Sequence, residues 1–220
     1  MDNSQWPAKA LLPIAMPGVK YVVAAILVTG MFFYFGCLKT AGVGLLITLF
    51  IAWFFRDPER KVPEDASLLV SPADGKVIVV ERNARCEYLD APCQKVSIFM
   101  NVFNVHVNRI PFSGMIEDVQ YHPGKFVNAS LDKASVHNER NALVIKTDDG
   151  GRYVCVQIAG LIARRIVNCV KTGDQVHKGD RYGMIQFGSR LDLYLPMDFE
   201  ILVTPGNKIS AASSIIGRMC

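Results

Sequence analysis

The sequence predicts a β-rich α+β protein: a compact barrel or sandwich domain of hammerhead type with one or two short helices, preceded by an N-terminal transmembrane helical hairpin. Three observations predict it. The stretch from Val19 to Phe55 is apolar apart from Lys20 and Lys39. A charged, proline-broken segment follows it. The remainder is a series of short runs rich in Val, Ile, Phe and Tyr, separated by turns that contain Gly and Asp. At 220 residues the chain has room for one globular domain plus this apolar tail, and half of its residues are hydrophobic.

The apolar stretch reads as helices of about 20 and about 15 residues with Lys39-Thr40 between them, whereas a full bilayer span needs roughly 20. A tight hairpin that enters and leaves the same membrane face accommodates the shorter helix, with Trp53 near the interface. Lys9 precedes the hairpin, and Arg56, Arg60 and Lys61 follow it. The positive-inside rule therefore puts both ends and the C-terminal domain on the cytoplasmic side of the cell membrane. A cleaved signal peptide is the competing reading; the apolar stretch is too long and too clearly doubled for it. The expected organisation is an N-terminal segment (1–18), the hairpin (19–55), a linker (56–66) and one domain (67–220).

The formal net charge of +4 comes from scattered basic residues, so nucleic-acid binding has no support. A mildly basic domain held against a bilayer would favour the anionic headgroups of the cytoplasmic leaflet. The six cysteines, at positions 37, 86, 93, 155, 169 and 220, include no CxxC pair. In a cytoplasmic domain free thiols are the default, and neither a metal site nor a catalytic thiol is expected.

Within the domain the strand-like runs are "LLVSPADGKVIVVE", "KVSIFMNVFNVHVNRIP", "SGMIEDVQYH", "ALVIKTDDGGRYVCVQIAG", "DRYGMIQFG" and "LDLYLP", with turns at Ala73-Asp74-Gly75 and Asp148-Asp149-Gly150-Gly151. Two segments read as short helices: "SLDKASVHNERN", which Ser130 would cap, and "LIARRIVNCV", Leu161 to Val170. "SPADGKVIVV" and "VKTGDQVHKGDRYGMIQFG" share the cadence of hammerhead domains, a pattern common in carriers.

Few residues qualify for chemistry on pattern alone. Ser189 follows Gly188 where "MIQFGSRLDLYLP" interrupts a strand, an odd place for the most flexible residue and a hydroxyl. Asp74 sits in a turn between Pro72 and Gly75. His106 alternates with apolar residues, whereas His122, His137 and His177 lie in polar, turn-like surroundings. An isolated Asp-Gly turn is ordinarily structural, as is a strand histidine. No P-loop, nucleophile elbow, Ser-x-x-Lys or paired-histidine zinc motif is present.

Taken together, "FRDPER", "SPADGKV", "VSIFMNVFNVHVNRIPFSG", "PGKFVNASLDKAS", "NERNALVI", "VQIAGLIARRIV" and "FGSRLDLYLP" closely resemble the short, membrane-associated type of phosphatidylserine decarboxylase proenzyme. The likeness runs from about Phe55 to Pro196 and continues in the hydrophobic N-terminus. It implies self-cleavage between Gly188 and Ser189. The Ser189 hydroxyl attacks the Gly188 carbonyl, the amide becomes an ester, and elimination turns Ser189 into dehydroalanine, which loses ammonia to become a pyruvoyl group. The products would be a β chain, 1–188, and an α chain, 189–220, that stay associated. Alternating Leu191, Leu193 and Leu195 suit a strand paired on both sides.

The resemblance further implies decarboxylation of phosphatidylserine to phosphatidylethanolamine through a Schiff base between the substrate amine and the pyruvoyl ketone, which acts as electron sink. No diffusible cofactor or metal is implied, and self-association into a homo-oligomer is compatible with it. His106 and Asp74 match the family's assisting histidine and aspartate: a base or proton donor, and a carboxylate that orients a histidine. Longer relatives have a second histidine where this chain has Arg109, so a two-histidine division of labour does not carry over. The cleavage motif also departs from Leu-Gly-Ser-Thr, reading Phe187-Gly188-Ser189-Arg190, with the Gly-Ser core intact. Ser213-Ser214 lacks the preceding glycine. The rival readings are a membrane-tethered hammerhead carrier or adaptor, for which no "MKM"-like lysine triplet occurs, and a hydrolase using Ser189 as an ordinary nucleophile.

Overall fold

The computed structural model describes residues 13–124, 138–160, 165–186 and 189–220. They divide into two units, one within residues 8–59 and the other holding residues 60–220.

The first unit is a helical hairpin, α1 (Met16–Tyr34) and α2 (Leu38–Phe54). Pro17 occupies the first turn of α1, where its missing N–H leaves no helical hydrogen bond unmade. The helix stops at Gly36, whose φ of +72° suits a residue without a Cβ. Gly36 N–H donates to Phe33 O at 3.0 Å and Cys37 N–H to Phe32 O at 2.9 Å, the paired bonds of a Schellman motif. The turn thus lies ahead of the expected Lys39-Thr40, both of which belong to α2: the glycine, not the lysine, decides where the chain reverses. Gly44 lets the helices approach, since a Cβ there would lie 2.7 Å from Thr29 Oγ1. At the open end, Ala15 N–H donates to Phe55 O and Asp57 N–H to Pro13 O, at 2.7 and 2.8 Å, so both ends of the hairpin emerge together. α1 is long and apolar enough to cross a membrane; α2, at 17 residues, is shorter.

The second unit is built of strands: β1 (Leu68–Val70), β2 (Gly75–Ala84), β3 (Cys93–Met100), β4 (Val107–Arg109), β5 (Gly114–His122), β6 (Arg140–Lys146) and β7 (Arg152–Ala159), then β8 (Ile166–Asn168), β9 (Gln175–Val176), β10 (Arg181–Ile185), β11 (Ser189–Leu195), β12 (Phe199–Ile201), β13 (Lys208–Ile209) and β14 (Ile215–Met219). An antiparallel eight-stranded sheet has the order β13-β2-β3-β11-β7-β6-β5-β9, and two three-stranded sheets, β1-β14-β12 and β4-β10-β8, complete the domain. The β-rich class is as the sequence predicts. Of the expected helices, one falls mainly outside the described residues, and its end enters β6. The other begins outside them, but Ile166–Asn168 form β8 instead, pairing with Met184 and its neighbours on β10. The β-branched pair Ile166-Val167 fits a strand better than a helix.

β11 lies fourth in the large sheet, hydrogen-bonded to β3 on one side and β7 on the other. Leu191, Leu193 and Leu195 face one core with Val96, Ile98, Leu143, Tyr153 and Cys155. The opposite face is covered too, by Cys86, Val154, Val156 and Ile158 with Tyr88 and Tyr194. A strand enclosed on both faces and both edges is the most firmly held position a sheet offers.

Candidate functional site

Ser189 is the first residue of β11 and is wholly buried. It pairs with Met100, the last residue of β3, and with Ala159, the last residue of β7. Its hydroxyl donates to Met100 Sδ at 3.8 Å, a weak acceptor. Gly188 lies outside the described residues.

His106 precedes β4 and is also wholly buried. Its carbonyl accepts the Ile185 N–H at 3.3 Å, and Val107 pairs with Met184. His106 is therefore built against the end of β10, the segment that leads to Ser189. The fold brings this histidine and the serine to one end of the domain, β4 from the side and β11 from its start.

Asp74 closes the turn before β2. The Arg60 guanidinium donates to both carboxylate oxygens, at 2.8 and 3.0 Å, and the Ala211 N–H donates to Oδ1 at 2.7 Å. The carboxylate joins the start of β2 to Arg60 and to the residues after β13. The turn itself reaches β4, because Arg109 N–H donates to Pro72 O at 2.9 Å. Lys76 pairs with Phe99, which pairs with Arg190, so Asp74 and Ser189 lie at the same end of the two strands that flank β3.

On the other face of β11 the charges are buried. Arg190 Nε donates to Asp192 Oδ1 at 2.6 Å and Arg190 NH2 to Ser97 Oγ at 3.0 Å, while Lys95 Nζ lies 3.2 Å from Asp192 Oδ2. A cavity of about 290 Å³ beside them is lined by Arg85, Glu87, Tyr88, Lys95, Arg140 and Tyr194, among others. Burial is the main cause that holds the Tyr194 phenol well above its ordinary range and pushes the Cys86 thiol up to about 11. The sequence alternation marks Arg190 and Asp192 as a polar face; the loop after β2 is what covers it.

Sequence reasoning missed Met100, Asn108, Asn141, Gln157 and Arg60. Asn108, Asn141 and Gln157 are buried amides on strands β4, β6 and β7. Their signal is an isolated carboxamide inside a strand run, as in "VCVQIAG". Among the described residues, no group of three or more His, Cys, Asp or Glu is placed to hold a metal ion.

A family model described as phosphatidylserine decarboxylase matches residues 47–217. A phosphatidylserine decarboxylase proenzyme of Syntrophus aciditrophicus is 51% identical over 207 residues, covering 93% of this chain and 96% of that protein. Proteins of the same name from Ralstonia pickettii and Desulfotalea psychrophila are 52% and 44% identical, covering 79% and 94% of this chain and 80% and 97% of theirs.

Proposed function

Because this chain belongs to the phosphatidylserine decarboxylase family, we propose that it decarboxylates phosphatidylserine to phosphatidylethanolamine in phospholipid biosynthesis, using a pyruvoyl group that it makes from Ser189. The observation that carries this reading is the setting of Ser189: a wholly buried hydroxyl at the first residue of a strand held on both sides, resting on a thioether. The rigid hold fixes the C-terminal side of the cleaved bond. The apolar wall at Met100 suits the methyl that would replace the hydroxymethyl.

In maturation, Ser189 Oγ adds to the carbonyl carbon of Gly188, the C–N bond breaks, and the hydroxyl proton passes by way of His106 to the Ser189 nitrogen. In the elimination that follows, a base takes the Ser189 Cα proton, the Cα=Cβ double bond of dehydroalanine forms and the Cβ–O bond breaks, releasing residues 1–188 with a free carboxylate. Tautomerisation and hydrolysis by one water replace the nitrogen with oxygen and release ammonia. When formed, the keto group would supply the electron sink for the carbanion left by loss of carbon dioxide. His106 would return a proton to the substrate's α-carbon. Asp74 would act through position, by fixing the turn that carries Pro72 against β4 and by tying down Ala211. The helical hairpin would hold the domain at the bilayer that contains its substrate, on the cytoplasmic side where Arg56, Arg60 and Lys61 follow the helices.

The test uses phosphatidylserine vesicles carrying a labelled carboxyl group. The native chain is expected to release labelled carbon dioxide and to run on a denaturing gel as two fragments, the smaller one blocked at its N-terminus. Ser189→Ala is expected to stay whole and inactive; an active Ser189→Ala protein would overturn the mechanism.

A further inference from the structure

The core that Leu191, Leu193 and Leu195 face holds Val96, Ile98, Leu143, Tyr153 and Cys155, and toward Ser189 three buried carboxamides meet. Asn141 and Gln157 are directly opposed across β6 and β7, and Gln157 is opposed to Leu191 across β7 and β11. Opposed residues share a face, so both amides lie on the side that Leu191 and Ser189 present. Asn108 comes from β4, in a different sheet. Gly183 on β10 makes room for the meeting: a Cβ there would lie 2.9 Å from Gln157 Nε2.

The hydrogen bonds run in one direction. Asn141 Nδ2 donates to Gln157 Oε1 at 3.1 Å, Gln157 Nε2 to Asn108 Oδ1 at 2.8 Å, and Asn108 Nδ2 to Met100 Sδ at 3.7 Å. The same sulfur receives the Ser189 hydroxyl at 3.8 Å. Asn108, Gln157, Met100 and Ser189 are at 0% exposure and Asn141 at 3%.

The last link is the informative one. A buried carboxamide nitrogen ordinarily donates to oxygen, yet the hydrogen bond from Asn108 Nδ2 goes to a thioether, a weak acceptor. A donor satisfied so poorly destabilises the fold, even though the same carboxamide's Oδ1 gives Gln157 Nε2 its acceptor. Folding alone therefore gives no reason for the chain of amides to end there. Its end point is the atom that also holds the Ser189 proton.

We infer that Asn141, Gln157 and Asn108 form a positioning relay that fixes the Met100 thioether, and that Met100 in turn aims the Ser189 hydroxyl for self-cleavage. Bound to an oxygen, that proton would be held firmly; on a sulfur it is oriented yet easily surrendered. The inference rests on the self-cleavage reading above. Met100 and Asn108 are positioning residues and act through Ser189.

The experiment follows cleavage over time on denaturing gels, with the full-length chain made by cell-free translation into lipid nanodiscs. The native chain and Ser189→Ala set the frame: a native chain that never cleaves sinks the self-cleavage reading itself and leaves no basis for the relay. Given native cleavage, Met100→Leu and Asn108→Leu are each expected to slow it roughly tenfold, and the double variant no more than the slower single one, since both act on one hydroxyl. The melting midpoint of Met100→Leu is expected to fall little, because Leu for Met conserves volume, whereas Asn108→Leu also strips Gln157 Nε2 of its acceptor and is expected to melt lower, so its cleavage is followed well below its own midpoint. If Asn108→Leu does not fold, Met100→Leu decides alone. Native cleavage rates in Met100→Leu, multiplicative slowing in the double variant, or slowing of Met100→Leu only in step with a lower melting midpoint would each overturn the relay.

Discussion

Arg190 and Asp192, two residues apart on β11, meet at 2.6 Å with both side chains closed to solvent. Ser97 and Lys95, on β3, complete the cluster, so it ties two strands that would belong to different fragments after cleavage. Removing one member leaves a buried charge without compensation. Asp192→Ala is expected to reduce the unfolding free energy by about 3–5 kcal/mol, read from urea denaturation. A loss below about 1 kcal/mol would mean that water reaches Arg190 after all.

Asp74 holds Arg60 and the Ala211 N–H at once. Asp74→Ala deprives both donors, whereas Arg60→Ala leaves the Ala211 bond in place. The first substitution is expected to cost about 1–3 kcal/mol, and the second less. Gel-based cleavage of the two variants then separates roles. If Asp74 works by position, a variant that restores the turn's stability elsewhere should recover part of the rate; a carboxylate that handles protons would not be rescued.

Gly75→Ala places a Cβ 2.3 Å from Phe99 O, a backbone atom that cannot step aside without moving β3 from β2. Calorimetry is expected to show a loss of about 1–3 kcal/mol, with slower cleavage because β3 also carries Met100. An unchanged melting curve would mean that the two strands separate more readily than their pairing implies.

Burial pushes the Cys86 thiol from 9.0 up to about 11 and the Cys169 thiol up to about 12. Because the folded values exceed the unfolded one, the unfolded chain releases its protons first as pH rises. The associated stability is complete below about pH 9 and erodes from there toward 11 for Cys86 and toward 12 for Cys169. Urea midpoints at about pH 8 and pH 10.5 should show the fall. At the lower pH, alkylation should favour exposed Cys220 over half-buried Cys169 and buried Cys86, as peptide mapping would reveal.

The outer faces of the hairpin carry Leu27 and Leu46 at 68% and 69% exposure. If lipid covers them, Leu27→Lys with Leu46→Lys should weaken insertion by roughly 2.5–3.5 kcal/mol each at mid-bilayer depth. More of the protein should then appear in the supernatant after carbonate washing. Unaltered retention would indicate that these faces meet protein rather than lipid.

The sheet and the hairpin were legible because each leaves a local mark: alternation and a long apolar run. The hairpin turn was misplaced because charge drew attention to Lys39 while backbone freedom at Gly36 decides the matter. Ile166–Asn168 was read as helix because a short apolar run fits either period, and its pairing with β10 settles the choice. The relay was invisible for a different reason. Asn108, Asn141 and Gln157 meet only through pairings between segments far apart in the chain, and a lone amide in a strand does not announce its partner.

The stretch that starts at Ser189 enters the domain at three separate places: β11 in the middle of the large sheet, β13 against β2 at its edge, and β14 against β1 in another sheet. A polypeptide nicked ahead of that stretch would keep its shorter piece by multivalent grip. Whichever hold lets go, the other two keep the piece at high local concentration and return it. Escape would demand all three releases at once, so the nick would go unnoticed by the rest of the molecule until the whole domain melts.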